Sequence, residues 1–504
     1  MTASTVVPEV RAGNARGVNE SRYADAFRWA LLTGVLALGL VAPGAGFAED
    51  LVLAGASEAQ KPVLSWETRA GRSYGIPALE VTGFILTLNQ FNRRFIDPEV
   101  YGTNYSTFRT NVTRAQVIDT DPFAVNQILH PYQGSIYFGS ARSAGLTYWE
   151  SLGFTLAGSM LWETAGETGP ASINDHIATG IGGTFLGEAL FRMASLVLEK
   201  GSGTPRFERE LGAALISPPT GFNRLVFGNR FDAVFPSRHP ATFLRLRLGG
   251  SLTVRRGDQG VSSTVNRKEV TGDLSLAYGL PGKPGYGYTR PFDYFDFQLT
   301  FVDSSYSVEN TMTRGLLLGK KYAVGDAYRG IWGLYGTYDY ISPQVFRVST
   351  TALSLGTTAQ WWLSRAVALQ GTALGGIGFG AAGTIGGEGE RDYHYGTTPQ
   401  GLLALRFILG NVAMLDFTGR GYYVSGTGSP ETQGWERIAR GNASVTVRVH
   451  GRHALGLQYV ASQRDAHYPG LRDRHQTVGT VSIAYNFLGD TRFGAVEWRD
   501  ADGR

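Results

Sequence analysis

The chain has 504 residues, of which 17% are charged, with 68 glycines, no cysteine and a formal net charge of +4. Without thiols there can be no disulfide framework, thiolate metal site or cysteine nucleophile. So small a charge excess, with no Lys/Arg run interleaved with aromatics, excludes a nucleic-acid groove, and the low charge content is lean cover for a soluble protein of this size.

Arg22 and Arg28 precede an apolar run over residues 29–41, followed by Pro43 and a small-residue stretch ending at Ala48. That is the order of a secretory signal with its cut after Ala48. The run is shorter than the about twenty residues a spanning helix needs. Residues 1–48 are therefore expected to be a signal peptide, with an uncleaved anchor as the alternative because the leader before Arg22 is long.

Residues 49–122 read as an N-terminal helix and a linker. Pro77 suits a first helical turn, and Leu79, Phe84, Ile85, Leu88 and Phe91 recur at helical spacing up to the cations Arg93 and Arg94. A helical domain over 123–235 follows, with helices expected at 123–141, 148–167 and 173–200. Ser172, with Asp175 three residues on, reads as a capping box. Gly180, Gly183 and Gly187 share a face with His176. Each glycine costs a helix about 1 kcal/mol against alanine, so another backbone is expected to pack closely there.

Glu163 and Glu167 lie four residues apart, where like charges repel. With His130, Asp175 and His176 they form the candidate catalytic cluster, a carboxylate acting as base and a histidine as ligand or proton shuttle. The competing structural reading has Asp175 completing a cap, Glu188 pairing with Arg192, and Glu163 or Glu167 pairing with Arg142. No two histidines share a short metal spacing, so neither a metal nor a cofactor is expected.

From 240 to 488 the period becomes two. Leu244, Leu246 and Leu248 alternate with Arg245, Arg247 and Gly249, and Val481, Ile483, Tyr485 and Phe487 oppose Ser482, Ala484 and Asn486. Strands are expected near 242–254, 268–280, 292–303, 311–323, 328–341, 345–363, 366–381, 399–409, 412–425, 437–449, 453–464 and 475–488. The connections at 324–327, 363–365, 410–411 and 451–452 are short, whereas those at 384–398, 426–436 and 465–474 are long and polar. Lipid-facing alternation, an even strand count and short turns opposite long loops describe an outer-membrane barrel with both barrel ends facing the periplasm. The connection over 280–291 is anomalous, being long where a short turn belongs. Lumenal Arg245, Arg247, Arg406, Asp416 and Arg420 are candidates to bind an anion or to pair with helix carboxylates, since buried charges need partners. The glycine string at 375–380 sits in a strand pattern without a following helix, so it is no dinucleotide loop. Residues 489–504 form a polar tail after Phe487.

The fold class expected is thus mainly β with an α-helical N-terminal part, an antiparallel transmembrane barrel of about twelve strands preceded by a helical lumen plug or periplasmic cap. The string His130-Pro131-Tyr132-Gln133-Gly134, then Trp149-Glu150, Ser159 to Glu163, Ser172 to Asp175, Gly182-Gly183 and Gly187-Glu188 resembles a bacterial family classed only as a domain of unknown function. The resemblance covers about a third of the chain and implies a Gram-negative envelope protein whose helical block precedes a barrel; it implies no activity. Outer-membrane lipid and the barrel insertion machinery are the expected partners, and the sequence leaves the oligomeric state open. Two roles follow: a non-enzymatic one in binding, passage or envelope structure, or a lipid- or envelope-modifying hydrolase.

Overall fold

The computed structural model describes residues 63–498 apart from 120, 202–203, 257–264, 304–307, 344–345, 384–390 and 428–432. The expected signal peptide lies outside these residues.

Twelve strands close on themselves: β1 Thr242–Arg256, β2 Val265–Tyr278, β3 Phe295–Val302, β4 Val308–Val324, β5 Tyr328–Ile341, β6 Arg347–Trp362, β7 Val367–Gly383, β8 Tyr393–Leu409, β9 Ala413–Val424, β10 Trp435–His450, β11 His453–His467 and β12 Arg474–Leu488. Every pair is antiparallel, and β1 joins β12 with Leu246 opposite Phe487. Because successive side chains point to opposite faces, the closed sheet has two populations. Leu248, Trp332, Leu355, Ile377, Leu457 and Ile483 stand exposed on the outer wall. Arg247, Asp273, Asp416 and Gln458 carry the opposite parity and meet across the lumen.

All twelve expected strands are present. The largest displacement is β8, which begins at Tyr393 rather than 399; Pro399 sits inside it opposite Ile377.

The helices are α1 Gly75–Phe95, α2 Tyr105–Thr113, α3 His130–Ser143, α4 Tyr148–Leu161, α5 Gly183–Glu199, α6 Phe207–Ile216 and α7 Pro218–Phe227. Wider π turns at Val125–Leu129, Trp162–Gly166 and His176–Gly182 adjoin α3, α4 and α5. Helix α2 lies within the expected linker, held by a capping box in which Asn104 and Thr107 bond reciprocally. The Ser172 cap forms only half of its box: Ser172 Oγ accepts from the Asp175 amide, while Glu163 takes the Ser172 amide. Of the three glycines, only Gly183 meets backbone, since a Cβ there would lie 2.6 Å from Gly134 Cα. Gly180 instead receives Leu156, and Gly187 the Phe138 ring.

The helical block is not a lumen plug. It docks on the outside of the barrel, on side chains that share the parity of the exposed leucines. Phe185 fills the space a side chain at Gly336 would take, Gly182 faces Thr351, and Phe123 packs tilted against Tyr340 and edge-on to Tyr393. Leu276, Tyr278, Phe295, Phe297 and Leu317 complete this interface with Leu186, Ala189 and Met193. The segment from Gly182 to Met193 therefore runs diagonally down the outer wall, from the end bearing the long loops to the end bearing the short turns.

The anomalous connection at 279–294 is where that descent lands. Glu188, fully buried, takes Arg142 and Arg192, each at 2.7 Å; Arg192 continues to Asp293 Oδ1 at 3.0 Å and to the Pro291 carbonyl. Asp293 Oδ2 also accepts the amides of Thr289 and Arg290, so this elaborated turn is built around one carboxylate.

The lumen is closed by other means. Near the short turns, Phe243, Tyr294, Leu316, Ile331 and Tyr335 form an apolar layer, and residues 489–498 fold back into it. Phe493 and Val496 are fully buried, Gln370 Nε2 donates to the Gly494 carbonyl at 2.7 Å, and Trp362 Nε1 to the Glu497 carbonyl at 3.0 Å. The described part of the tail expected to be polar thus plugs the barrel. Near the long loops Met312, Ile341, Phe346, Val348, Tyr422 and Val478 form a second apolar layer. The charged belt lies between the two.

Removing one partner from a buried ion network strands the others, at about 3–5 kcal/mol. Glu188→Ala is therefore expected to release the helical block from the barrel before the barrel itself melts. Limited proteolysis should then cut the helices while leaving a barrel that still migrates as folded on an unheated gel.

Candidate functional site

The expected cluster assembles at the long-loop end of the helical block, where residues 117–129 and 162–176 meet the barrel wall. A parallel bridge between Val117 and Ser172 ties the two segments, and the three π turns all adjoin this region. Such turns are frequent at functional sites because the extra residue redirects side chains.

Two tyrosines of β8 face outward from the barrel and organise the contact. Tyr395 Oη accepts from Gln127 at 2.8 Å, from Asn174 at 2.9 Å and from Asn126 at 3.1 Å. Asn126 also reaches Tyr393 Oη, which itself donates to the Asp121 carbonyl at 2.6 Å. Asp119 Oδ1 accepts from Asn126 at 2.5 Å and from Asn174 at 2.8 Å, and its amide donates to Asn174 Oδ1. Asn126 and Asn174 are thereby oriented from both sides, by the wall and by a carboxylate.

Beneath this layer lie the five candidates. His130 Nε2 is 3.9 Å from Asp175 Oδ2, and His176 Nδ1 is hydrogen-bonded to Ser159 Oγ at 3.0 Å. Glu163 Oε2 accepts the Ser172 amide at 2.9 Å and Glu167 Oε1 accepts Trp162 Nε1 at 2.9 Å. The five share one end of the bundle, but no hydrogen bond among the described residues joins one to another. His130 Nδ1 and His176 Nε2 are buried without a hydrogen-bond partner.

The expected pairing of Glu163 or Glu167 with Arg142 does not occur, because Arg142 lies toward the opposite end of α3 and is taken by Glu188. Glu188 does pair with Arg192. Among the described residues no Lys or Arg forms an ion pair with Glu163, Glu167 or Asp175; a cation does lie near Asp121, with Arg391 at 3.6 Å. Burial, reinforced by Asp119 and opposed by Arg391, lifts the Asp121 carboxyl to about 6. Burial, then the neighbouring Glu163 and Asp121, pushes Glu167 well above the ordinary carboxylate range. Among the described residues the arrangement presents no set of three His, Asp or Glu side chains able to hold a metal.

The lumenal candidates pair within the barrel and not with helix carboxylates, since the helices lie outside. Asp416 takes Arg245 at 2.9 Å and Arg406 at 2.6 Å, and Arg247 is held by Asp273 at 2.8 Å. Arg420 contacts Met312 Sδ and shares the polar chamber with Arg247, Gln298, Thr418 and Asn442. The sequence reading missed Asp273, although strand pairing sets it directly across from Arg247. It also missed Asp119, Asn126, Asn174, Tyr393 and Tyr395, whose signal was Tyr-His-Tyr alternation just ahead of Pro399 and isolated amides beside apolar runs.

These observations bear on what the chain resembles. Residues 115–219 match the domain of unknown function DUF3943. The DUF3943 segment therefore contains every catalytic candidate, the Arg142–Glu188–Arg192 network and most of the wall contact, and the twelve-stranded barrel follows it. No curated protein matches the chain. Solved structures similar to it include an outer membrane channel from Pseudomonas putida F1, with 13% identity, a TM-score of 0.27, and 49% of this chain covered against 94% of that one. The DcaP channel of Acinetobacter baumannii shows 7% identity and a TM-score of 0.23, with 49% and 97% covered. The loop-deletion mutant of OmpT from Vibrio cholerae shows 8% and 0.20, with 49% and 99% covered. At such scores these likenesses carry no inference, and the barrel stands on its own strand pairing.

An isolated aspartic acid titrates near 3.9. With Asp121 lifted to about 6, the folded form binds the proton more tightly. Its contribution to stability is present below the ordinary value and lost as pH rises through the folded one. Amide hydrogen exchange over 162–176, corrected for intrinsic rates, should therefore be faster at pH 8 than at pH 5. Asp121→Asn combined with Glu167→Gln should flatten that difference.

Proposed function

We propose that this protein is an outer-membrane β-barrel of a Gram-negative envelope, short turns toward the periplasm, that works as a sealed anchor for the DUF3943 block in binding or envelope structure. The location is supported by a closed sheet with an apolar outer wall, the form in which strands satisfy their backbone groups within lipid. Outer-membrane lipid and the barrel insertion machinery are then its partners.

The observation that carries the choice of role is the double seal. Apolar layers stop the lumen at both ends, one completed by Phe493 and Val496, and the arginines between them are largely matched to wall carboxylates. A pathway for solute would need neither. Purified full-length protein in planar bilayers should be silent, whereas a chain truncated after Leu488 that also carries Met312→Ala and Tyr422→Ala, so that both layers are opened, should show discrete conductance steps. Steady conductance from the intact protein would return passage to the lead.

A hydrolase acting on lipid or another envelope component is the second reading, favoured by the Ser159–His176 hydrogen bond and by Glu163 and Glu167, which among the described residues take an amide and an indole in place of a Lys or Arg. Under the anchor reading, Ser159→Ala and Glu163→Gln leave the lipid profile of the envelope unchanged. Loss or accumulation of one lipid species in both variants, with the folded protein present at normal level, would instead assign the chemistry to this cluster.

A further inference from the structure

The helical block rests on a wall whose bare parts are apolar, and its own outer surface continues that character. Helix α4 exposes Trp149, Gly153, Leu156, Ala157 and Met160, and no charged residue occurs from 151 to 161. Helix α1 exposes Ala78, Leu79, Thr82 and Leu86, while its one carboxylate, Glu80, is turned inward and buried. Charge is confined to the ends. Arg72 and Glu150 pair at 3.3 Å beside the short-turn end, next to Tyr74 and Trp149. Arg93 and Arg94 close α1 at the other end. The 21 residues of α1 rise about 31 Å at 1.5 Å each, close to the roughly 30 Å of a bilayer's hydrocarbon core.

Height agrees with length. The contacts from Gly182 against Thr351 to Arg192 against Asp293 carry the block along the wall from near the long loops to the short turns. Its outer faces therefore stand beside the band that exposes Leu355, Ile377 and Ile483. Water-facing surfaces rarely present an uninterrupted apolar patch of this kind.

We propose that the helical block is itself immersed in the bilayer against the barrel's flank, so that lipid acyl chains are the partner of the outer faces of α1 and α4. The proposal rests on the outer-membrane reading of the barrel and goes beyond it: neither a periplasmic cap nor a plug has this surface. Aromatic side chains at the short-turn end, Trp149 and Tyr74, sit where interfacial rings collect. Helices α6 and α7 expose Phe207, Leu211, Leu215 and Leu225, an apolar surface suited to lying in the interface.

The chain has no cysteine, so single cysteines can be introduced without background. Leu86→Cys, Leu156→Cys and Met160→Cys would be compared with Leu355→Cys and Ile483→Cys on the bare wall and Ser364→Cys in a short turn. The full-length protein, spin-labelled, is reconstituted into phosphatidylethanolamine/phosphatidylglycerol vesicles and probed with oxygen and a water-soluble nickel chelate. The helix positions should match 355 and 483, rich in oxygen collisions and at least tenfold poorer in nickel collisions than 364. Helix labels resembling 364 while 355 and 483 stay lipid-like would overturn immersion and leave the barrel reading intact. Water-like labels at 355 and 483 would defeat both. Helix labels immobile and shielded from both reagents would mean that a second copy covers this face, which also overturns the proposal.

Discussion

Everything in this structure depends on a sheet that leaves no strand edge. Once β1 pairs with β12, the backbone groups of each strand are satisfied by its neighbours, and only side-chain parity is left to decide what faces in and what faces out. One parity collects arginines, aspartates and amides into a chamber where they neutralise one another. The other parity is apolar all round, and the protein uses it twice: bare on one part of the circumference and as the bed for a helical bundle on another.

That second use explains features that look unrelated along the chain. The glycines at the start of α5 and just ahead of it are not one packing stripe: Gly183 lets α3 approach, Gly182 lets the segment sit on Thr351, and Gly187 accepts the Phe138 ring. Gly336 on the wall does the same for Phe185. The long connection between β2 and β3 supplies Asp293, which ends the chain of charges from Arg142 through Glu188 and Arg192. A small-to-large change on either surface would be felt by the other, because close-packed interfaces yield little.

The barrel was readable in the sequence because a period of two is local, and each block of alternating residues announces its own strand. The boundary of β8 was not, since Pro399 reads as a break and hid the Tyr393 and Tyr395 pair ahead of it. Where the helices dock was unreadable for a different reason: an outward face packed on helices and an outward face in lipid have the same apolar composition. Within the candidate cluster, helical periodicity spoke only to the spacing of Glu163 and Glu167; that His130, Asp175 and His176 share their end of the bundle was not legible in it. Their hydrogen bonds were not legible either, because one backbone amide and an indole took the places that Arg142 was expected to fill.

The C-terminal tail has a consequence for how the molecule is made. Its contacts lie on β1, β6, β7, β8 and β10, through Phe243, Trp362, Gln370, Ile408 and Arg448, so its binding place does not exist until the cylinder is complete. The residues that stopper the bore also follow every barrel strand in the chain. Seating the tail is therefore a closing step distinct from strand pairing, and until it is taken the polar interior of the shut cylinder lies open at its short-turn end.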